Sequence, residues 1–124
     1  MRIAAGTFIL FLLPLSFARA DDAQAVRVTA ASYAQLQVHL AAPLVVEPVV
    51  FAGVYALADW NCAGKEGEVL LLRGADGNWH VIAFENNTLA DEKFLTVRYH
   101  VPQSDAVTLV QEIIAAEKRE GARP

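Results

Sequence analysis

Apolar residues recur at Val26, Ala30, Tyr33, Leu36 or Gln37, and Leu40 within residues 23–40. This spacing of three and four draws one stripe along an otherwise polar helix, and Pro43 stops it. The period then changes. Residues 44–51, LVVEPVVF, are rich in β-branched side chains, and Pro48 among them marks an edge strand or a bulge. Ala52-Gly53 predicts a tight turn. Beyond it Val54, Ala56, Ala58 and Trp60 alternate with Tyr55, Leu57 and Asp59, giving a second strand with two distinct faces. Residues 61–67, NCAGKEG, read as a loop with Gly64 and Gly67 as its flexible points. EVLLLR is a third strand, GADGN a hairpin turn and WHVIAFE a fourth strand. Short connections between consecutive strands predict an antiparallel meander over residues 45–85.

Residues 86–101 carry two patterns. Ala90, Phe94, Val97 and Val101 fit a helical stripe, with Asn87 or Thr88 as its cap, whereas Leu95, Val97, Tyr99 and Val101 alternate as a strand would. The capped helical stripe predicts a helix to about residue 96. Pro102 and Asp105 then suit the start of a last helix. Its buried stripe is Ala106, Leu109, Val110, Ile113 and Ile114, and Lys118 and Arg119 sit at its end. The fold class is α+β: an N-terminal helix, a four-stranded antiparallel meander, and one or two C-terminal helices packed on one face of the sheet. The helices together are expected to cover that one face.

The first residues, MRIAAGTFILFLLPLSFARADD, combine Arg2, an apolar run broken by Pro14, and the small-x-small triplet Ala18-Arg19-Ala20. This predicts a secretory signal peptide over residues 1–20, cut after Ala20, and a single domain over residues 21–124 in a periplasm-like compartment. The run is too short for a membrane span, so no span is expected after cleavage. Fourteen acidic residues stand against ten basic ones, and loss of Arg2 and Arg19 deepens the imbalance. Such a surface argues against nucleic-acid and anionic-membrane partners.

Candidate chemistry is sparse. No nucleophile elbow, glycine-rich phosphate loop or H-E-x-x-H occurs, and the chain is expected not to be an enzyme. Asp59 and His80 are the residues that an apolar pocket between helix and sheet would use for a small ligand or for catalysis, the alternative reading. Trp60 and Trp79 are either core or a binding platform. Cys62 is the only cysteine, so no disulfide closes within the chain. It is either a partly buried, inert residue or the one soft metal ligand, with Glu66, Glu68 and Glu85 as expected neighbours. Met1 is the only methionine and lies in the expected leader. His80, at the far end of the strands, is out of reach. One thiolate alone is a poor site for a soft metal ion, and a homodimer sharing two Cys62 thiolates would be a better one.

The segments VVEPVVFAGVYALADW, GEVLLLRGADGNWHVI and VPQSDAVTLVQEIIAAEKR resemble the small exported bacterial copper uptake system-associated proteins. The likeness spans residues 44–119. It implies an exported, non-enzymatic accessory protein of copper uptake or handling, acting with a protein partner of an uptake system. The family pattern carries a cysteine near the end of the fourth strand. Here that position is Phe84, and Cys62 stands elsewhere. The residues themselves identify no cofactor; copper enters through the resemblance.

Overall fold

The computed structural model describes residues 20–40 and 42–121. The expected leader, residues 1–20, lies outside these save for Ala20. Helix α1 covers residues 20–33 and runs into a π-helical turn, Ala34–Val38. His39 closes it in a left-handed conformation (φ 61°), its N–H bonding the carbonyl of Ala34.

Four strands follow: β1 Val45–Ala52, β2 Tyr55–Cys62, β3 Lys65–Arg73 and β4 Trp79–Glu85. They form one antiparallel sheet in the order β1-β2-β3-β4, the meander expected from the short connections. Gly53 (φ 57°) takes the first central position of the β1–β2 turn, where a positive φ suits glycine. Pro48 lies on an edge strand and within a register shift between Val46 and Val49, so edge and bulge are both realised.

The expected loop over residues 61–67 is instead a two-residue turn. Ala63 (φ 52°) and Gly64 (φ 87°) are both left-handed, as a type I′ hairpin turn requires. Cys62 pairs with Lys65, Asn61 with Glu66 and Trp60 with Gly67. The sequence hid this because alanine seldom adopts positive φ, and because Gly67 reads as a flexible point while serving a different end. A Cβ at Gly67 would stand 1.9 Å from the carbonyl oxygen of Glu85. The gap admits the Trp60 indole, whose Nε1–H donates to that same oxygen at 3.0 Å.

Beyond β4, α2 (Glu92–Tyr99) and α3 (Gln103–Gly121) complete the chain. The first C-terminal helix reaches Tyr99 rather than ending near residue 96. Its cap is Asp91, whose side chain accepts from the Phe94 N–H at 2.8 Å, and not Asn87 or Thr88. The α3 stripe shifts by part of a turn: Ala106, Leu109, Ile113 and Ala116 are buried, and Ile114 is exposed.

Strand alternation divides the core in two. Val50, Ala52, Leu57, Leu70 and Ala83 pack with Leu95 of α2 and with the buried α3 stripe. Ala56, Ala58, Trp60, Cys62, Val69, Leu71 and Trp79 pack with Val26 and Ala30 of α1. The C-terminal helices thus cover one face, as expected, but α1 covers the other, so helices flank both faces. Its small side chains, Val26 and Ala30, pack on the Ala-rich side of β2, Ala56 and Ala58. An ion pair between Arg73 and Asp22 (3.6 Å) joins the start of α1 to the end of β3. Among the described residues, no helix is long and apolar enough to cross a membrane.

Candidate functional site

The β2–β3 register sets Asp59 opposite Glu68, on the face that α3 covers. The last turns of α3 bring Glu117 over them. One carboxylate oxygen from each of the three lies within 4.8 Å of the other two, although strand, strand and helix are far apart in sequence.

The three differ in their surroundings. Glu68 is only 5% exposed and is the one buried charged residue of the described core. Its Oε1 accepts from the Thr88 hydroxyl at 2.9 Å and from the backbone N–H of Leu89. It therefore holds the turn that follows β4. Asp59 is half-buried; its Oδ1 is sealed from solvent and has no hydrogen-bond partner. The neighbours of Asp59 are carboxylates, which can bond to it only through a proton. Burial first, then hydrogen bonding to Glu117 and Glu68 and their negative charge, push the Asp59 carboxyl up to about 9. With no cation bound, Asp59 holds its proton at neutral pH. Glu117 is exposed.

A pocket of about 490 Å³ opens over this trio. Glu47, Glu66 and Glu120 also line it, with the amides of Asn86 and Asn87, and among the described residues no lysine, arginine or histidine does. Oxygen donors without a neighbouring cation suit a hard or borderline divalent ion: three carboxylates supply part of an oxygen shell and water completes it.

The structure separates most of the residues singled out from the sequence. Cys62 lies on the α1 face, 4% exposed, and its Sγ–H donates to the Ala42 carbonyl at 3.2 Å. Glu66 and Glu68 belong to the opposite face by alternation, so they are not its neighbours; its cross-strand partner is Lys65. Phe84 shares the α1 face and stacks on Trp60 at 4.8 Å, in the same cluster as Cys62. Trp60 and Trp79 are core residues, 4% and 7% exposed. His80 is exposed beside Asp76, both Asp76 oxygens at 3.3 Å from its Nε2. The Asn78 backbone N–H, and then His80, hold the Asp76 carboxyl below its usual range. His80 pairs with Leu72, at the end of the sheet away from Glu68. Asp59 does line a pocket, but carboxylates and amides build it, rather than the apolar walls that the small-ligand alternative requires.

Glu117 escaped the sequence reading. Its signal was present: it follows Ile113 by four residues, which continues the buried stripe of α3 and ends it on a carboxylate. No family model, curated protein or solved structure matches the chain.

Proposed function

We propose that this is an exported, non-enzymatic accessory protein of copper uptake or handling, and that it holds a divalent cation at Asp59, Glu68 and Glu117. The observation that carries the cation reading is the trio itself. Three carboxylates converge from three elements in a pocket to which the described residues bring no basic side chain, and one of their oxygens is buried with no donor among those residues. Like charges at such separations demand a proton or a cation. The copper part and the uptake partner rest on the family resemblance, and the export part on the leader-like first twenty residues.

Ligand chemistry favours one oxidation state in this reading. Copper held by carboxylates is Cu(II), which heads the divalent series at oxygen and nitrogen sites, whereas Cu(I) seeks sulfur. Cys62 is the only thiol that could serve Cu(I), and it is engaged with Ala42. Binding must displace the proton of Asp59, so affinity rises with pH and uptake releases about one proton near neutrality.

Calorimetric titration with Cu(II), Mn(II) and Ca(II), and competition for Cu(I), tests this on the wild type, on Asp59→Asn/Glu117→Gln and on Cys62→Ser. The expected result is divalent binding that the double carboxyl variant loses and Cys62→Ser keeps. Binding that follows Cys62 instead, or no binding of any ion, overturns it. Mass spectrometry of protein recovered from the producing cell tests export: the expected N-terminus is Asp21.

A further inference from the structure

Helix α2 buries Leu95 completely but leaves Phe94 40% and Val97 67% exposed. Eight residues with apolar side chains on both sides do not make a surface helix of the usual amphipathic kind. The exposed side carries Lys93, Phe94, Val97 and Arg98, which the spacing of three and four sets in one contiguous patch. A groove of about 960 Å³ runs beside it, bounded across the way by Glu85, Asn87 and Thr88. The Phe94 ring meets Tyr99 edge-on at 5.6 Å, which steadies it as an anchor.

We infer that this face is a homodimer interface, in which α2 packs antiparallel against α2 of a second copy. The charges of the helix point to that occupant. Asp91, the N-cap, and Arg98, in the last turn, stand at opposite ends of α2, and both line the groove. A two-fold axis through the middle of the helix sets Asp91 of each copy against Arg98 of the other, twice. It also opposes the two helix dipoles and brings the Phe94 and Val97 pairs together in the centre. Neither Lys93 nor Arg98 makes an ion pair within the chain among the described residues. A net negative molecule repels its own kind over most of its surface, so self-association needs such a locally matched patch. The inference does not depend on cation binding, since none of the trio contributes to the face.

Sedimentation equilibrium over a concentration series tests it on the full mature chain, with circular dichroism to establish folding. The wild type is expected to dimerise. Val97→Glu inserts a charge at the centre and Arg98→Glu faces Asp91 of the other copy; each is expected to weaken the dimer at least about tenfold, like-charge contacts at an interface costing several kcal/mol. Val28→Glu, on the exposed side of α1, should leave it unchanged. A wild type that stays monomeric to about 0.5 mM, well beyond the range of a specific dimer, overturns the inference. So does a dimer indifferent to Val97→Glu and Arg98→Glu, which would place the contact elsewhere. If the face instead receives a different protein, the wild type alone is monomeric, the first of these outcomes.

Discussion

The indole Nε1–H of Trp60 donates to the carbonyl of Glu85, 3.0 Å away on a strand that is not its neighbour. The bond passes over β3 at Gly67, where a side chain would collide with that carbonyl. Stacking of Trp60 on Phe84 closes the same corner of the core. One absent methyl group thus ties β2 to β4 and fixes where β4 ends.

Gly67→Ala is therefore expected to destabilise the fold by about 2–3 kcal/mol, from overpacking and loss of a hydrogen bond. The urea midpoint should fall with an unchanged slope. Gly64→Ala is the comparison: its Cβ would meet nothing within 4 Å, and only its φ of 87° strains the substitution. Equal midpoints for wild type and Gly67→Ala would remove Trp60–Glu85 as an explanation of the glycine.

Asp59 makes stability depend on pH. The unfolded chain releases its proton above about 3.8, whereas the folded protein keeps it to about 9. Between those values the native state binds more protons, so stability contributed by this residue falls as pH rises, and the fall ends near pH 9. Asp59→Asn keeps the size and removes the titration. It is expected to gain stability over wild type progressively from pH 4 to pH 9, read as the urea midpoint at fixed ionic strength without divalent ions. A gap between the two proteins that stays constant across this range contradicts the assignment.

Glu68 has a second task beside the cluster. Leu89 is fully buried, and its N–H finds its acceptor in the Glu68 carboxylate. Glu68→Ala leaves that donor unmet inside the core, at a cost of about 1–3 kcal/mol before the loss of packing. Glu68→Gln retains an oxygen for Thr88 and Leu89, and it should recover most of the stability while weakening cation binding. Hydrogen exchange of the Leu89 amide distinguishes the two: fast in the alanine variant and slow in the glutamine one.

Much of the fold was legible because strands of period two declare their own faces. Trp79 opening β4, Gly53 in its turn and Pro48 on the edge all follow from local chemistry. The Ala63-Gly64 turn did not, since only its second residue has the composition of a left-handed pair. The cap of α2 was misassigned because Thr88 and Asp91 are both good caps; the buried Glu68 occupies Thr88 and leaves Asp91 to the helix. The carboxylate trio needs the register of β2 on β3 and the angle of α3 at once. Asp59 and Glu68 each stand out singly in the sequence, and nothing in the linear order joins Glu117 to them.

The thiol of Cys62 is expected to be slow. It lies in the cluster under α1, and its hydrogen bond to Ala42 ties β2 to the segment between α1 and β1. A thiol reagent can reach it only when that segment lifts. Labelling of the native protein should lag behind that of the urea-unfolded chain by on the order of 100-fold or more, the local opening being a sub-global event. Cys62→Ser preserves a donor to Ala42 and should fold, whereas Cys62→Val removes it and should be the less stable of the two by about 1 kcal/mol. The same reasoning bears on metal. Two Cys62 thiolates can share a Cu(I) ion only after both segments have opened, so any Cu(I) uptake through this residue should proceed no faster than labelling. Immediate, stoichiometric reaction of the folded protein would show a thiol already presented to solvent and open to a metal ion.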